Sequence, residues 1–203
     1  GLPPPRGNPT PPRYLSRSEC RDLVDEIQAY VEAWQKGAPE PQQQASREWL
    51  LRGVRLAVST GLRRGSLVAL RWQDIDFEDE YVYAWADAAK RDGHTVPLFE
   101  DARAVLDAIG PEDRGLVLTR ADGTAVPPST FSKQFARFRE RAGLDAEVTL
   151  HTCRHTFASW LVQEGVPLYK VSHWLGHSSI EVTEQYAHLA PTQSDDTAEE
   201  VFS

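Results

Sequence analysis

The sequence predicts a mainly α-helical domain with one small antiparallel β-sheet, an α+β fold. Apolar residues recur at helical spacing before residue 73 and again after residue 101. Between these stretches, residues 81–86 and 94–98 read as two short strands, with Asp92 and Gly93 between them as a hairpin turn signal. A chain of 203 residues that is 40% hydrophobic can form one domain with a substantial core.

The first helix is predicted from the signal at its N-terminus. Ser16 and Glu19 form a capping-box pattern, in which each side chain binds a backbone N–H of the other residue. Leu23 and Ile27 follow at helical spacing, and Gly37 ends the helix. We therefore expect a long helix here with its apolar side turned toward the core.

A loop and two helices are expected next. Residues 37–45 contain two prolines and three glutamines, and their sequence predicts a loop. The apolar residues of segment 46–59 recur at helical spacing and predict a second helix, which Gly61 closes. A shorter helix is expected near residues 66–72.

After the predicted strands, helical spacing of apolar residues returns and continues almost to the end of the chain. It predicts five further helical segments, the last of which is the most polar. They are residues 102–109, the series Phe131, Phe135 and Phe138, residues 157–161, residues 168–175, and a final helix at residues 179–189.

The two ends of the chain differ in composition from its middle. Residues 1–13 are rich in proline and are expected to form an arm or linker. Residues 191–203 form an acidic tail without periodicity, so residues 14–190 are expected to be the folded domain. Because the sequence contains no methionine, we expect a fragment or processed chain from which an upstream domain is absent.

Several classes of protein are disfavoured by the composition. No apolar stretch approaches the roughly 18 residues of a membrane span, so a membrane is not expected as a partner. Cys20 and Cys153 are far apart and form no paired motif, so a disulfide framework is not predicted. We therefore expect a cytoplasmic protein, in a reducing compartment.

The charge distribution leaves room for nucleic-acid binding. The net charge of −8 argues against it, because nucleic-acid-binding domains are usually basic. Residues 181–203, however, contain six acidic residues and no Lys or Arg. Arg63, Arg64 and Arg71 cluster in the remainder, as do the basic residues of segment 133–141. A local positive face is therefore possible on a chain that is acidic overall.

Four short segments carry residues suited to the chemistry of phosphate esters. Together they resemble the catalytic domain of the phage integrase, or tyrosine recombinase, family in both order and spacing, over about residues 13–190. In chain order they are TGLR at 60–63 followed by LRWQDI at 70–75; Lys90 in a hairpin that ends in VPL at 96–98; HTCRH at 151–155; and LGH at 175–177, followed nine residues after His177 by Tyr186.

The resemblance implies the fold of a tyrosine recombinase catalytic domain and the activity of a site-specific DNA recombinase. Such an enzyme cleaves and rejoins DNA through a 3′-phosphotyrosine intermediate and serves in the integration of mobile genetic elements. It also implies three partners: double-stranded DNA, further copies of the chain in a synaptic tetramer on DNA, and an N-terminal DNA-binding domain that this chain lacks.

The resemblance assigns the nucleophile to Tyr186 and the phosphate clamp to Arg63 and Arg154. A tyrosine ester retains the energy of the phosphodiester bond, so that the strand can be rejoined without hydrolysis. The charge that develops on the phosphate needs stabilisation, and the planar guanidinium group of arginine binds phosphate oxygens in pairs.

The same resemblance assigns the proton transfers. His151 would handle the proton of the tyrosine, and His177 would donate a further hydrogen bond to the phosphate. Lys90 would protonate the 5′-oxygen that leaves, because an alkoxide is a poor leaving group. His155 would only support the site. Neither a metal ion nor another cofactor is expected, because the arginines and the lysine supply the positive charge.

The histidines also allow a different interpretation, a zinc-dependent enzyme. His151 and His155 are four residues apart, and so are His173 and His177. On helices, each pair can present two imidazoles on one face, as zinc sites do. This hypothesis leaves the arginines and the tyrosine without a role, and the glutamate of the HExxH pattern is missing, since Thr152 follows His151.

One departure from the family pattern favours a third hypothesis. An acidic residue usually lies three positions after the first arginine, where this chain has Ser66. Such a residue orients neighbouring groups of the site, and its loss can loosen the site without removing a direct participant. The alternative is therefore a catalytically decayed integrase-like protein that binds DNA and no longer cleaves it.

Overall fold

The computed structural model of the chain describes residues 11–37, 41–87, 92–112 and 114–191. The predictions for residues 1–10, for Lys90 and for residues 192–203 fall outside these ranges. In chain order the elements are α1 (Arg17–Gly37), α2 (Pro41–Thr60), α3 (Arg64–Ala69), a 3₁₀ helix (Trp72–Asp74), β1 (Ile75–Asp76), β2 (Tyr81–Asp87), β3 (Asp92–Pro97), α4 (Glu100–Ile109), α5 (Pro128–Arg141), α6 (Leu150–Gln163), α7 (Leu168–Leu175), α8 (Glu181–Glu184) and a second 3₁₀ helix (Ala187–Leu189). The predicted α+β fold class is confirmed.

Helix α1 begins as its sequence predicts. The backbone N–H of Ser16 donates to Glu19 Oε2 at 2.8 Å, and the N–H of Glu19 donates to Ser16 Oγ at 3.1 Å. This reciprocal arrangement satisfies two of the N–H groups that a helix leaves unpaired at its start. Leu23 and Ile27 are fully buried on the inner side of the helix.

Helix α2 is longer than predicted. The loop expected at residues 37–45 was wrong from Pro41 onward, where the helix begins. It begins at Pro41, because proline is well accommodated at the first helical position and the glutamines after it favour a helix. At its other end, Gly61 adopts φ +64°, a left-handed conformation that terminates the helix. A Cβ atom at Gly61 would lie 2.5 Å from Phe157, so only glycine fits this turn.

The sheet has three antiparallel strands in the order β1-β2-β3, one more than predicted. The Asp92–Gly93 turn prediction was wrong, since both residues belong to β3 and pair with Asp87 and Trp85. The register shifts between those two residues of β2, as it does in a bulge. Glycine is required here for a close approach, because a Cβ atom at Gly93 would lie 2.8 Å from the carbonyl oxygen of Ala84.

The core is built around α2, which packs against α1, α4, α5 and α6. The three phenylalanines Phe131, Phe135 and Phe138 are buried on α5, as their spacing predicts. Phe138 meets the ring of Tyr30 on α1 at a centroid distance of 5.0 Å, in an edge-to-face contact. In the described part of the chain, no helix is both long and apolar enough to cross a membrane.

The C-terminal helix expected at residues 179–189 is broken in two. Tyr186 lies between α8 and the second 3₁₀ helix, with φ −99° and ψ −7°. Its N–H donates to the carbonyl of Thr183 at 3.0 Å, and its own carbonyl accepts from Leu189 at 2.9 Å. These three-residue steps tighten the backbone relative to an α-helix. The break turns the side chain of Tyr186 into the protein, where it is 1% exposed.

We predict that Gly61→Ala lowers the free energy of unfolding by about 1–2 kcal/mol or more, because a left-handed conformation is costly for alanine and its Cβ would strike Phe157. The measurement is chemical denaturation followed by circular dichroism. Gly65→Ala is the matched control, since no atom lies within 4 Å of a Cβ there. Equal stability of the two variants would contradict this account of the turn.

Candidate active site

Helix α6 presents three of the predicted site residues from its first two turns. Thr149 caps the helix, with its Oγ1 accepting the N–H of His151 at 3.2 Å and its own N–H donating to Thr152 Oγ1 at 2.8 Å. The start of the helix is held in this way. Arg154 and His155 follow His151 by three and four residues, so the three side chains share one side of α6.

Arg154 is the buried cation of the site, with 3% of its surface exposed. Its Nη1 donates to the carbonyl of Gly61 at 2.8 Å, and its Nη2 donates to the carbonyl of Leu175. Burial, and secondarily the nearby charge of Arg63, lowers the pKa of Arg154 to about 10. The guanidinium group is therefore still charged at neutral pH, beneath the turns that end α2 and α7.

Arg63 adds an exposed cation next to the buried one. It follows Gly61 in the turn after α2, and its Nη2 donates to the carbonyl of Gly176 at 3.5 Å. The two arginines thus reach the neighbouring carbonyls of Leu175 and Gly176. Two guanidinium groups that meet at one turn provide the forked donors and the positive charge that bind a phosphate group well.

His177 belongs to the same turn, one residue after Gly176. Its Nδ1 lies 2.8 Å from Oγ1 of Thr183, a buried residue of α8. Burial, followed by the charges of Arg154 and Arg63, lowers the pKa of His177 to about 4. The imidazole is therefore neutral at physiological pH and can still donate a hydrogen bond through Nε2.

Tyr186 is held against α6 by a direct hydrogen bond. Its Oη lies 2.5 Å from Nδ1 of His155, and the two ring centroids are 5.9 Å apart. Burial raises the pKa of Tyr186 to about 12, against the opposing influence of the positive charge on Arg154. In this structure the phenol is therefore neutral and covered, although a cation lies close by.

The two histidines of α6 stand in contact with each other. The rings of His151 and His155 meet edge to face at a centroid distance of 4.5 Å. Burial lowers the pKa of His155 to about 4, helped by His151 and Arg154. Burial also lowers the pKa of His151, with Arg154 and Arg63 adding to the effect. The family resemblance assigns the proton of Tyr186 to His151, whereas the hydroxyl group is hydrogen-bonded to His155.

Ser66 occupies the position where the family pattern has an acidic residue. Its Oγ donates to the carbonyl of Trp85 at 3.0 Å, so it orients the strand without adding negative charge. The indole Nε1 of Trp85 in turn donates to Asp74 Oδ1 at 2.9 Å. Ser66, Trp85 and Asp74 thereby join α3 to the sheet at the edge of the site.

An open groove of about 1120 Å³ is lined by Arg63, by the turn after α7, by α3 and by strand β2 of the sheet. Arg63 and His177 lie at one part of its wall, and Tyr83 and Trp85 lie at another. Arg71 adds a further positive charge to the wall. Among the charged residues of the wall, Arg63 and Arg71 outnumber Asp74, so the groove carries a net positive charge close to the buried Arg154.

The second basic cluster seen in the sequence is used largely for packing. Arg137 and Arg141 of α5 lie over the ring of Tyr30, each at 5.4 Å from its centroid. Arg141 also forms an ion pair with Glu26 of α1 through Nε and Oε1, at 2.5 Å. These arginines attach α5 to α1 and are less available to a partner than Arg63.

In each histidine pair of the zinc hypothesis, one imidazole is already hydrogen-bonded to the hydroxyl group of another residue. Nδ1 of His155 is engaged by Tyr186, and Nδ1 of His177 is engaged by Thr183. Among the described residues, no group of three or more His, Cys, Asp or Glu side chains could hold a metal ion.

The sequence of the chain is similar to that of known integrases. A model of the phage integrase family matches residues 15–193. The integrase of Salmonella phage P22 is 31% identical over 202 residues, an alignment that covers 94% of this chain and 47% of that protein. The chain therefore spans about half the length of this relative.

Solved structures with the same fold come from phage and transposon proteins. The catalytic domain of bacteriophage HP1 integrase has a TM-score of 0.64 and 22% identity, and the match covers 93% of this chain and 94% of that domain. The Tn1549 transposon integrase in complex with circular intermediate DNA has a TM-score of 0.69 and 17% identity, covering 96% of this chain and 67% of that one. Both likenesses confirm the predicted fold.

The buried histidines predict a loss of stability in mild acid. His155 and His177 have pKa values of about 4, below the 6.5 of a free imidazole. As the pH falls from 6.5, the unfolded chain therefore binds more protons than the folded one, and unfolding becomes easier. We expect the double variant His155→Gln/His177→Gln to have a flatter dependence of unfolding free energy on pH between about 6.5 and 5.

The measurement is urea denaturation at several pH values within that window. His188→Gln is the matched control for the same substitution at an exposed position. A double variant whose profile coincides with that of the wild type would show that the two imidazoles do not titrate as their burial requires.

Proposed function

The chain belongs to the phage integrase family, and from this premise we propose that it is the catalytic domain of a site-specific recombinase. It would cleave and rejoin double-stranded DNA through a 3′-phosphotyrosine at Tyr186. The observation that carries this proposal is that Arg63, Arg154, His177 and Tyr186, from four separate parts of the chain, lie close together around the turn after α7.

The arginines and His177 would bind the phosphate that is cleaved. Arg154 supplies a charge whose position is set by two backbone carbonyls, so it needs little reorganisation when a phosphate arrives. Arg63 is exposed beside it and can turn its forked donors toward the non-bridging oxygens. His177 would add a neutral hydrogen-bond donor, which stabilises the negative charge that develops on the phosphate.

Tyr186 would form the covalent bond to the 3′-phosphate. Attack by its oxygen replaces one phosphodiester with another, so the bond energy remains available for rejoining. Two histidines are candidates for the base that removes its proton. His151 is the one implied by the resemblance, and His155 is the one bonded to the hydroxyl.

Lys90 would protonate the 5′-oxygen as it leaves. The residue lies outside the described part of the chain, between β2 and β3. Both strands flank the site, since β2 contributes Tyr83 and Trp85 to the wall of the groove. The proposed role of Lys90 therefore rests on its place in the sequence, between two strands of which β2 lines the groove.

Double-stranded DNA is the proposed partner, and further copies of the chain would assemble with it into a synaptic tetramer. The groove lined by Arg63 and Arg71 supports DNA binding, since phosphate contacts provide most of the affinity of such interfaces. The Tn1549 integrase that shares the fold was solved in complex with DNA. Because the chain spans about half of the P22 integrase, we also propose that an N-terminal DNA-binding domain completes the functional protein.

A second candidate function is DNA binding without cleavage. Ser66 in place of an acidic residue favours it, and so does the burial of Tyr186, which cannot reach a substrate while covered. The two functions differ in whether a covalent bond to DNA can form, and the adduct experiment below separates them.

We predict that Tyr186→Phe abolishes covalent attachment to DNA and leaves DNA affinity within a few-fold of the wild type, because only the attacking oxygen is removed. The substrate is a pool of nicked duplexes with random sequence around the nick, from which any cleavable site is captured. Adducts are detected on denaturing gels, and affinity is measured by a separate binding titration. EDTA is present throughout, since the proposed mechanism uses no metal ion.

Adduct formation by the Phe variant would refute the assignment of the nucleophile. DNA binding by the wild type without any adduct would instead support the second candidate function. An adduct that forms only when zinc is restored would support the zinc hypothesis.

We predict that Lys90→Ala blocks cleavage of ordinary DNA, with a loss of about 100-fold or more. A substrate with sulfur in place of the bridging 5′-oxygen should be cleaved almost normally by the same variant, because a thiolate leaves without a proton. The measurement is the rate of adduct formation on both substrates. Arg91→Ala, which removes the neighbouring cation, is the control for a general effect of charge. Equal losses on both substrates would assign Lys90 to binding.

A further inference from the structure

We propose that His155, which lies next to Arg154 on α6, is the catalytic base that takes the proton of Tyr186. The proposal rests on the proposed recombinase function and changes one assignment within it, because the resemblance gives that proton to His151. Its foundation is geometric: Nδ1 of His155 lies 2.5 Å from the tyrosine Oη, in a contact buried against α6.

The direct hydrogen bond makes His155 better placed than its neighbour. A base has to lie within hydrogen-bond distance of the proton that it removes. Among the hydrogen bonds of the described residues, the Tyr186 hydroxyl is joined to His155, while His151 contacts the ring of His155 one turn earlier. His151 is also the more exposed of the two, on the side that faces the groove residue Arg63.

The electrostatic surroundings explain how such a base could be inactive before DNA arrives. His155 faces His151 and Arg154 of its own helix, Tyr186 after α8, and His177 after α7. In the free protein, burial and the neighbouring cation lower the pKa of His155, while burial raises the pKa of Tyr186. Proton transfer from the tyrosine to the histidine is therefore strongly unfavourable.

A bound phosphate would reverse part of this effect. Its negative charge, placed at Arg63 and Arg154, offsets the positive charge that disfavours protonation of His155. The pKa of the histidine should therefore rise when the phosphate binds. The base thus becomes effective only in the presence of the group that Tyr186 attacks, and the free protein keeps its nucleophile neutral.

The step balances in protons and electrons. For Nδ1 to accept, His155 must be the neutral imidazole with its hydrogen on Nε2. The proton of the phenol passes to Nδ1 while the oxygen of Tyr186 forms a bond to phosphorus. The bond from phosphorus to the 5′-oxygen breaks, its electron pair stays on that oxygen, and the proposed acid Lys90 protonates it. Rejoining reverses each transfer.

The test compares His155→Gln, His155→Phe and His151→Gln in the adduct assay across a range of pH. Glutamine can accept the hydrogen bond of the hydroxyl but cannot hold the proton, whereas phenylalanine can do neither. We expect both His155 variants to be slowed by about 100-fold or more, with glutamine giving little rescue. Their rates should go on rising with pH, while the wild type and His151→Gln level off once His155 is neutral.

A rate for His155→Gln within a few-fold of the wild type, with the same levelling, would overturn the proposal and show that His155 only positions the tyrosine. Loss of the levelling in His151→Gln alone would overturn it in favour of His151.

A second measurement needs no cleavage and uses the unmodified protein. The imidazole resonances are titrated by NMR with and without inorganic phosphate, and those of His155 are assigned by their loss in His155→Gln. We expect phosphate to raise the pKa of His155 by roughly one unit. A change in the pKa of His177 without a rise in that of His155 would overturn this inference and leave the proposed function standing. No change at either histidine would contradict the phosphate site, and with it both the proposed function and this inference.

Discussion

The site depends on one buried guanidinium group. Arg154 joins the turn after α2 to the end of α7 through the carbonyls of Gly61 and Leu175, with no carboxylate in either bond. A buried charge is tolerated only when its donors are satisfied, and here the backbone satisfies them without cancelling the charge. The same bonds therefore hold two segments together and leave a net positive charge for an anion. Arg63 and His177 lie on these two segments, so their positions follow from that of Arg154.

Much of this arrangement could be predicted from the sequence, because local rules govern it. The capping box at Ser16 and the phenylalanine spacing of α5 are short-range patterns, and both predicted their helices. The candidate residues Arg63, Arg154, His177 and Tyr186 were proposed from their types and order, since phosphate chemistry requires those types. The family resemblance also led us to expect them close together, and in the structure they lie around the turn after α7.

The remaining features depend on contacts between distant parts of the chain. Gly93 allows a close approach to β2 and does not form a turn. No signal in the sequence around Asp92 and Gly93 distinguishes these two uses of a glycine. The first residues of α2, from Pro41 to residue 45, were assigned to a loop because proline is typical both of loops and of first helical positions. The bond between His155 and Tyr186 joins residues 31 positions apart, and it forms only because the backbone breaks between α8 and the second 3₁₀ helix.

That break has a consequence for the way the protein opens. The hydrogen bonds around Tyr186 span three residues and belong to two short helical segments, whereas α6 beneath them is a continuous helix with most of its residues buried. Short segments with few internal bonds can separate from a domain at a free energy well below that of global unfolding. We therefore expect amide hydrogens near Tyr186 to exchange with solvent through local openings, and those in the middle of α6 to exchange mainly when the whole domain unfolds. On this account the proposed nucleophile, Tyr186, is carried by a segment that opens more readily than the helix that holds Arg154.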